Sequence, residues 1–449
     1  MEHYMIKKMI IDNTKNVEIL KKCSMIVDKK TGIISECIEM MNECFDPKIF
    51  FYTTLMADTS KYDGYLKCHS NNGGAALTRN DAMLAAIGES VERYCSSIYD
   101  HEKLCFASFE ELCEKAVSPY EWALFNNGQY EKRNFKFVRF DEKTKVNWVK
   151  GYSITENCEK YVPANFVYLP YISEPHEEVI SPCISTGLAA GTSVESAILS
   201  GIYEAVERDA ISIMWLNKLS MPVINNIKDT RILEDIYKKY FECDRAEYKL
   251  IDITTDIGIP VIFSIKYFKS AKGVSSSCGA ACRLDPEQAA LKAMTEAAQG
   301  AKWIQFLHVQ DWMWGYNDDF SDITDFQDHI HLYSLPEMVG GLGFVSASSV
   351  KKNLNEMKNK SANCVKKDIR KCVDMLKAVG REVIVVDVTT PDIKETPFRV
   401  VKVLIPGLQQ LNGDHNYPFL GGDRLFNVPS KLGYAKVVDS YNSAPHPFP

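Results

Sequence analysis

The segment TRNDAMLAAIGESVERY, residues 78–94, has two counterparts: SVESAILSGIYEAVERD, residues 193–209, and DPEQAALKAMTEAAQG, residues 285–300. Aligned on Glu89, Glu204 and Glu296, the three agree at fixed offsets. Eleven residues upstream stand Thr78, Ser193 and Asp285, residue types whose side-chain oxygen caps the first amides of a helix. Pro286 follows the third cap, where a helix tolerates it best. Seven residues upstream stand Ala82, Ala197 and Ala289, three upstream Ala86, Gly201 and Ala293, and three downstream Glu92, Glu207 and Gln299. Offsets of −7, −3, 0 and +3 share one helical face. Each predicted helix therefore carries small residues, which allow close backbone approach, and then acidic or amide groups along one stripe. Arg93 and Arg208 follow the second glutamate in two copies.

A single Glu-x-x-Glu pair is ordinary decoration of a solvated helix face. Two Glu-x-x-Glu-Arg matches in one chain arise by chance on the order of a few times in a thousand at average composition, so the repeat points to a shared site. If the helices converge, Glu89, Glu92, Glu204, Glu207 and Glu296 bring five carboxylates together. Such a cluster repels itself unless protonated or neutralised. Mg²⁺ takes carboxylate and phosphate oxygens together, and arginines pair with phosphate bidentately. The residues therefore predict a helix-built Mg²⁺–nucleotide site. It is not a P-loop, because no GxxxxGK[ST] occurs in the sequence. The glycine-containing stretches before the first two helices, Ser70–Gly74 and Ser185–Gly191, offer amides to phosphate or simply turn the chain.

The remainder of the 449 residues is that of a folded protein: 46% hydrophobic, 25% charged, net charge −7. This excludes wholesale disorder and disfavours nucleic acid and anionic membranes as partners. The beginning, MEHYMIKKMIIDNTKN, lacks the apolar core of a signal peptide, and no apolar run approaches the ~20 residues of a membrane helix. Fourteen dispersed cysteines without a CxxC pair fit reduced thiols and a cytoplasmic location. Residues 1–60 read as short segments and turns. Lys249–Ile253, Pro260–Ile265, Glu382–Val388 and Phe398–Ile405 read as strands, and Asn363–Val379 as a helix stopped by Gly380. The acidic stretch 311–335 reads as an exposed loop.

These features resemble the YcaO family. The resemblance rests on the three acidic motifs, the STGLAAGTS segment and the strand ending in Ile405-Pro406-Gly407. VDKKTGIISECIEM, ADTSKYDGY and the final Pro445-His446-Pro447-Phe448-Pro449 are similar to the azoline-forming cyclodehydratase branch. The resemblance implies an α+β, YcaO-type fold in which repeated acidic helices pack with β-sheets around ATP and Mg²⁺. It implies a catalytic domain over 61–449 and a docking segment over 1–60. It implies cyclisation of Cys, Ser or Thr in a ribosomally made precursor peptide: the side chain attacks the preceding carbonyl, ATP phosphorylates the amide oxygen, and phosphate leaves.

By the same resemblance Glu89, Glu92, Glu204, Glu207 and Glu296 hold metal. Ser70, Glu89, Arg93, Glu204, Arg208, Lys292 and Gln299 bind ATP. The catalytic tail is Pro445, Pro447 and Pro449, with the terminal carboxylate orienting a group or taking a proton. Where the family often has Gly-Lys-Gly this chain has Gly74-Ala75-Ala76, and where Arg is frequent it has Lys292, a point charge rather than a fork. The implied partners are a leader-binding protein resembling ubiquitin-activating enzymes and, where azoles are made, a flavin-dependent dehydrogenase; a homodimer is a further assembly to test. Thioamide or amidine formation at the same ATP site and a non-catalytic scaffold are the alternatives. A di-iron carboxylate bundle would want E-x-x-H pairs, which do not accompany the motifs.

Overall fold

A computed structural model describes residues 13–43, 46–58, 71–225, 230–242, 245–435 and 441–448. The three repeated segments are helices: Arg79–Ser97, Val194–Leu216 and Pro286–Gln310. Thr78 accepts from the Asp81 amide, Ser193 from Ser196, and Asp285 from Glu287 and Gln288. Each cap satisfies an amide that the first turn would leave orphaned.

The small residues of the stripe are all buried: Ala82, Ala86, Ala197, Gly201, Ala289 and Ala293. Each helix uses them to lie directly on a strand. A Cβ on Gly74, in the strand Asn71–Ala76, would meet Ala82 O and Ala86 N at 2.4 Å. A Cβ on Gly279, in Gly273–Cys282, would meet Ala297 N at 2.4 Å. A Cβ on Gly201 of the second helix would strike Val403 Cγ2 at 2.5 Å, in the strand Arg399–Leu404. Three sheets thus receive one acidic helix each.

The first sheet is antiparallel and orders Ile34–Met40, Phe50–Met56 and Asn71–Ala76. The second orders Gly273–Cys282, Val261–Ser270, Glu247–Asp252, Val223–Ile224 and Lys351–Lys352. The third orders Cys105–Ala107, Val146–Ser153, Ile384–Asp387, Arg399–Leu404 and Leu188–Gly191, with Cys158–Pro163 paired onto Val146–Ser153. Val261–Lys266 is buried on both faces, so its apolar run lacks the alternation of a one-sided strand. Arg424 closes the core beneath the second helix. It holds Asp209 through two 2.7 Å bonds and Asp256 at 2.8 Å, and both Arg424 and Asp209 are buried.

Three expectations change. The first glycine-containing stretch runs as the strand Asn71–Ala76 rather than a turn, because the close-lying helix demands glycine at Gly74, whereas the second turns at Thr186-Gly187, with Gly187 at φ 82°, before entering the strand Leu188–Gly191. Residues 311–335 are not one loop: Asp325 caps a helix, Phe326–Tyr333, that buries His329, His331 and Tyr333. Its acidic residues masked that apolar and aromatic face. Residues 1–60 include a helix, Asn13–Cys23, besides the first two strands of the first sheet. The strand readings in 247–270 and 384–404 and the helix Val365–Ala378 stand within one to five residues of their expected ends.

Candidate functional site

The acidic stripes of the three helices meet. Glu92 of the first helix lies within electrostatic reach of Glu204 of the second and of Glu89, and both Glu204 and Glu207 feel Glu296 of the third. Burial is the main force on these groups. It pushes Glu92 and Glu207 up to about 8, with neighbouring carboxylates adding to the rise, and it also raises Glu204. Desolvation disfavours the charged form, and like charges do so again.

Four of the five acids have a local anchor. Glu89 Oε2 accepts from the Gly73 amide at 2.9 Å. Glu92 Oε1 takes Arg93 Nη1 at 2.9 Å, and Arg93 Nη2 reaches Glu89 at 3.6 Å. Glu207 Oε2 accepts from the Cys282 amide at 3.2 Å. Glu296 pairs with Lys292 at 3.0 Å, one turn earlier on its own helix. Gln299 approaches Gly73, where an added Cβ would lie 2.8 Å from its Nε2. The third helix therefore meets the first at the strand that presents Gly73.

Arg208 leaves the second helix toward two rings, with its guanidinium carbon 4.5 Å from the Phe448 centroid and 5.7 Å from that of Phe326. This brings the Pro-x-Pro-x-Pro segment to the site. Pro445 and Pro447 are buried beside Phe448. Ser70 and Pro449 lie outside the described residues.

Lys402 has no counterpart among the expected site residues. It sits in the strand Arg399–Leu404, fully buried, and donates to the Ile184 carbonyl at 2.7 Å. Burial lowers it to about 8, while the nearby Glu204 and Glu92 pull the other way. The cue was available: Val400-Val401-Lys402-Val403-Leu404 is an apolar strand broken by one cation, and a lysine is buried only where something compensates it.

The donor set suits a hard divalent cation and a polyanion. It offers only oxygen ligands from the acids, with Arg93, Arg208, Lys292 and Lys402 around them, and burial together with the neighbouring carboxylates opposes the charged form of Glu92 and Glu207. Among the described residues no three side chains are already drawn into a closed metal cage; the carboxylates engage arginine, lysine and backbone amides instead.

A family model described as YcaO cyclodehydratase, ATP- and Mg²⁺-binding, matches residues 73–409. An uncharacterized protein of Methanothermobacter thermautotrophicus is 26% identical over 361 residues, covering 78% of this chain and 84% of the relative. Among solved structures, a heterocyclase in complex with substrate and cofactor superposes with a TM-score of 0.79 at 24% identity, over 96% of this chain. The chain spans only 57% of that heterocyclase's length. YcaO from Methanopyrus kandleri, bound with AMPPCP and Mg²⁺, has a TM-score of 0.62 at 19% identity and covers 88% of this chain and 91% of its own. No described helix is long and apolar enough to cross a membrane.

Proposed function

From the premise that this chain belongs to the YcaO family and that ATP and Mg²⁺ are its cofactors, we propose that it cyclodehydrates Cys, Ser or Thr in a ribosomally made peptide to azoline rings. The observation that carries the reading is the meeting of five glutamates from three matched helices with Arg93, Arg208 and Lys402 in one partly dehydrated site. When bound, ATP supplies the phosphoryl group that turns an amide oxygen into a leaving group, and Mg²⁺ offsets its charge.

The chain's residues do the rest. Glu89, Glu92, Glu204, Glu207 and Glu296 would hold the metal, and Gln299 would bind beside Glu89. Arg93, Arg208 and Lys292 would take phosphate oxygens. Lys402, fixed to Ile184 O, keeps a positive charge under the acids and helps neutralise the triphosphate. Ser70 and Pro449 keep the roles that the family resemblance implies. A leader-binding partner protein, with residues 1–60 as its docking segment, keeps the place that the family resemblance implies. A flavin-dependent dehydrogenase would act only after the azoline forms.

The test is a mass measurement on a Cys/Ser/Thr-rich precursor peptide incubated with the protein, ATP and Mg²⁺, with and without a leader-binding partner. Loss of one water per ring supports the proposal. Exchange of one oxygen for sulfur points to thioamidation. An unmodified peptide together with no nucleotide binding points to a scaffold.

A further inference from the structure

Polyproline-type backbone makes no hydrogen bonds within itself, so a buried segment of this kind must find donors for its carbonyls elsewhere. Residues 444–446 find three, one after another, and all three are aromatic rings. Trp215 Nε1 donates to Ala444 O at 3.0 Å, Tyr333 Oη to Pro445 O at 2.8 Å, and His329 Nδ1 lies 2.7 Å from His446 O. His329 and Tyr333 are four residues apart on Phe326–Tyr333 and share a face. Trp215 stands seven residues after Arg208 on the second acidic helix, two turns along the same face.

The side chain of His446 completes the fit. It stacks on His329 with centroids 3.9 Å apart and planes 6° from parallel. Its Nδ1 accepts from the Phe448 amide at 3.3 Å, so its Nε2 carries the proton toward Asn412 O at 2.6 Å. Burial favours the neutral form of both imidazoles. His329 Nε2 lies 3.0 Å from Gly413 O, and we place its single proton on Nδ1, the nitrogen with the shorter contact. Phe448, 2% exposed, then lies under the Arg208 guanidinium.

We propose that Trp215, Tyr333 and His329 are positioning residues: they grip three successive carbonyls so that Phe448 braces Arg208 for the nucleotide. The prolines serve by shape, since they present carbonyls without amides to satisfy. This gives the segment a mechanical role in nucleotide binding, distinct from proton transfer by the chain end. It rests on the reading of the acidic cluster as a nucleotide site.

The experiment uses the full chain and two conservative variants. Tyr333→Phe removes one hydroxyl, and Phe448→Leu keeps the apolar fill while removing the ring. Hydrogen exchange at the His446 and Phe448 amides reports the grip. Calorimetric titration with Mg²⁺ and a non-hydrolysable ATP analogue reports Arg208. The expected result is faster exchange in Tyr333→Phe, and nucleotide affinity about tenfold weaker in Phe448→Leu, the size of a desolvated cation–π contact. In the double variant the affinity losses should not add, because both act through one contact. Tyr333→Phe that frees the segment without weakening nucleotide, or Phe448→Leu with unchanged affinity, overturns the proposal and leaves the nucleotide reading intact. Unchanged exchange in Tyr333→Phe overturns the grip. Absence of nucleotide binding in the unaltered protein overturns the nucleotide reading, and this proposal with it.

Discussion

Gly73 and Gln299 are packed so closely that a β-carbon on the glycine would lie 2.8 Å from the glutamine Nε2, although 226 positions separate them in the sequence. The obstruction is the far end of a flexible side chain, and Gly73 sits in a strand where alanine is conformationally at ease. Gly73→Ala is therefore expected to shift Tm by no more than about 2 °C. It should displace Gln299 and weaken Mg²⁺–nucleotide binding by about tenfold, the value of one good hydrogen bond to a charged group. Thermal melting and calorimetry on the same preparation check both halves.

Glu207→Gln should move stability and function in opposite directions. The variant keeps an oxygen for the Cys282 amide and removes a charge that burial and Glu296 oppose. Without metal it should be more stable than the parent near neutral pH, by at least about 1 kcal/mol. Mg²⁺-dependent nucleotide binding should fall at least tenfold. Denaturant titration and nucleotide titration, each with and without Mg²⁺, provide the comparison.

The pH dependence of the metal-free protein follows from the same acids. Glu92 and Glu207 sit at about 8 in the fold against an unfolded value near 4.3. A raised folded value gives stability that is complete below the unfolded value and is lost as pH rises through the folded one. Metal-free Tm should accordingly fall between about pH 5 and pH 8. Mg²⁺ with an ATP analogue should flatten that slope, since metal takes the deprotonated acids, and should release protons on binding. Melting curves across pH and calorimetry in buffers of different ionisation enthalpy measure the two effects.

Arg424→Ala tests the core beneath the second helix. Asp209 would be left buried without its two 2.7 Å bonds to Arg424. Removing one partner of such a pair costs roughly 3–5 kcal/mol, so expression or denaturant midpoint should fall sharply. Arg424→Lys should recover only part of the loss, because a point charge cannot reproduce the fork.

Much of the site was legible because the repeat wrote it three times. Caps, small residues and acids recur at the same offsets, and each offset has a separate physical cause: orphan amides at Thr78, a strand pressed against Ala86, charge at Glu89. Nothing repeats at Lys402, Trp215, Tyr333 or His329. Their roles come from contacts between segments far apart in sequence, and a lone lysine or aromatic ring reads the same whether it packs or positions. The stretch 311–335 was misread in part because all but one of its aspartates are exposed while the helix Phe326–Tyr333 behind them turns its rings inward. The glycine stretches were ambiguous because glycine signals a turn as readily as a strand that must admit a helix at close range.

The pairing of Leu188 with Lys402 has a consequence for synthesis. Among the described residues the Leu188–Gly191 strand pairs only with Arg399–Leu404, more than 200 positions later. At roughly 5–20 residues per second on the ribosome, that is a wait on the order of tens of seconds. During it the second acidic helix exists without the strand and the cation that its small residues and glutamates require. The nascent chain holds an open sheet edge, and acids still without the Lys402 cation, until the Arg399–Leu404 strand has emerged. Those are the surfaces a chaperone would have to shield, and a translational pause placed before residue 399 would lengthen the exposure.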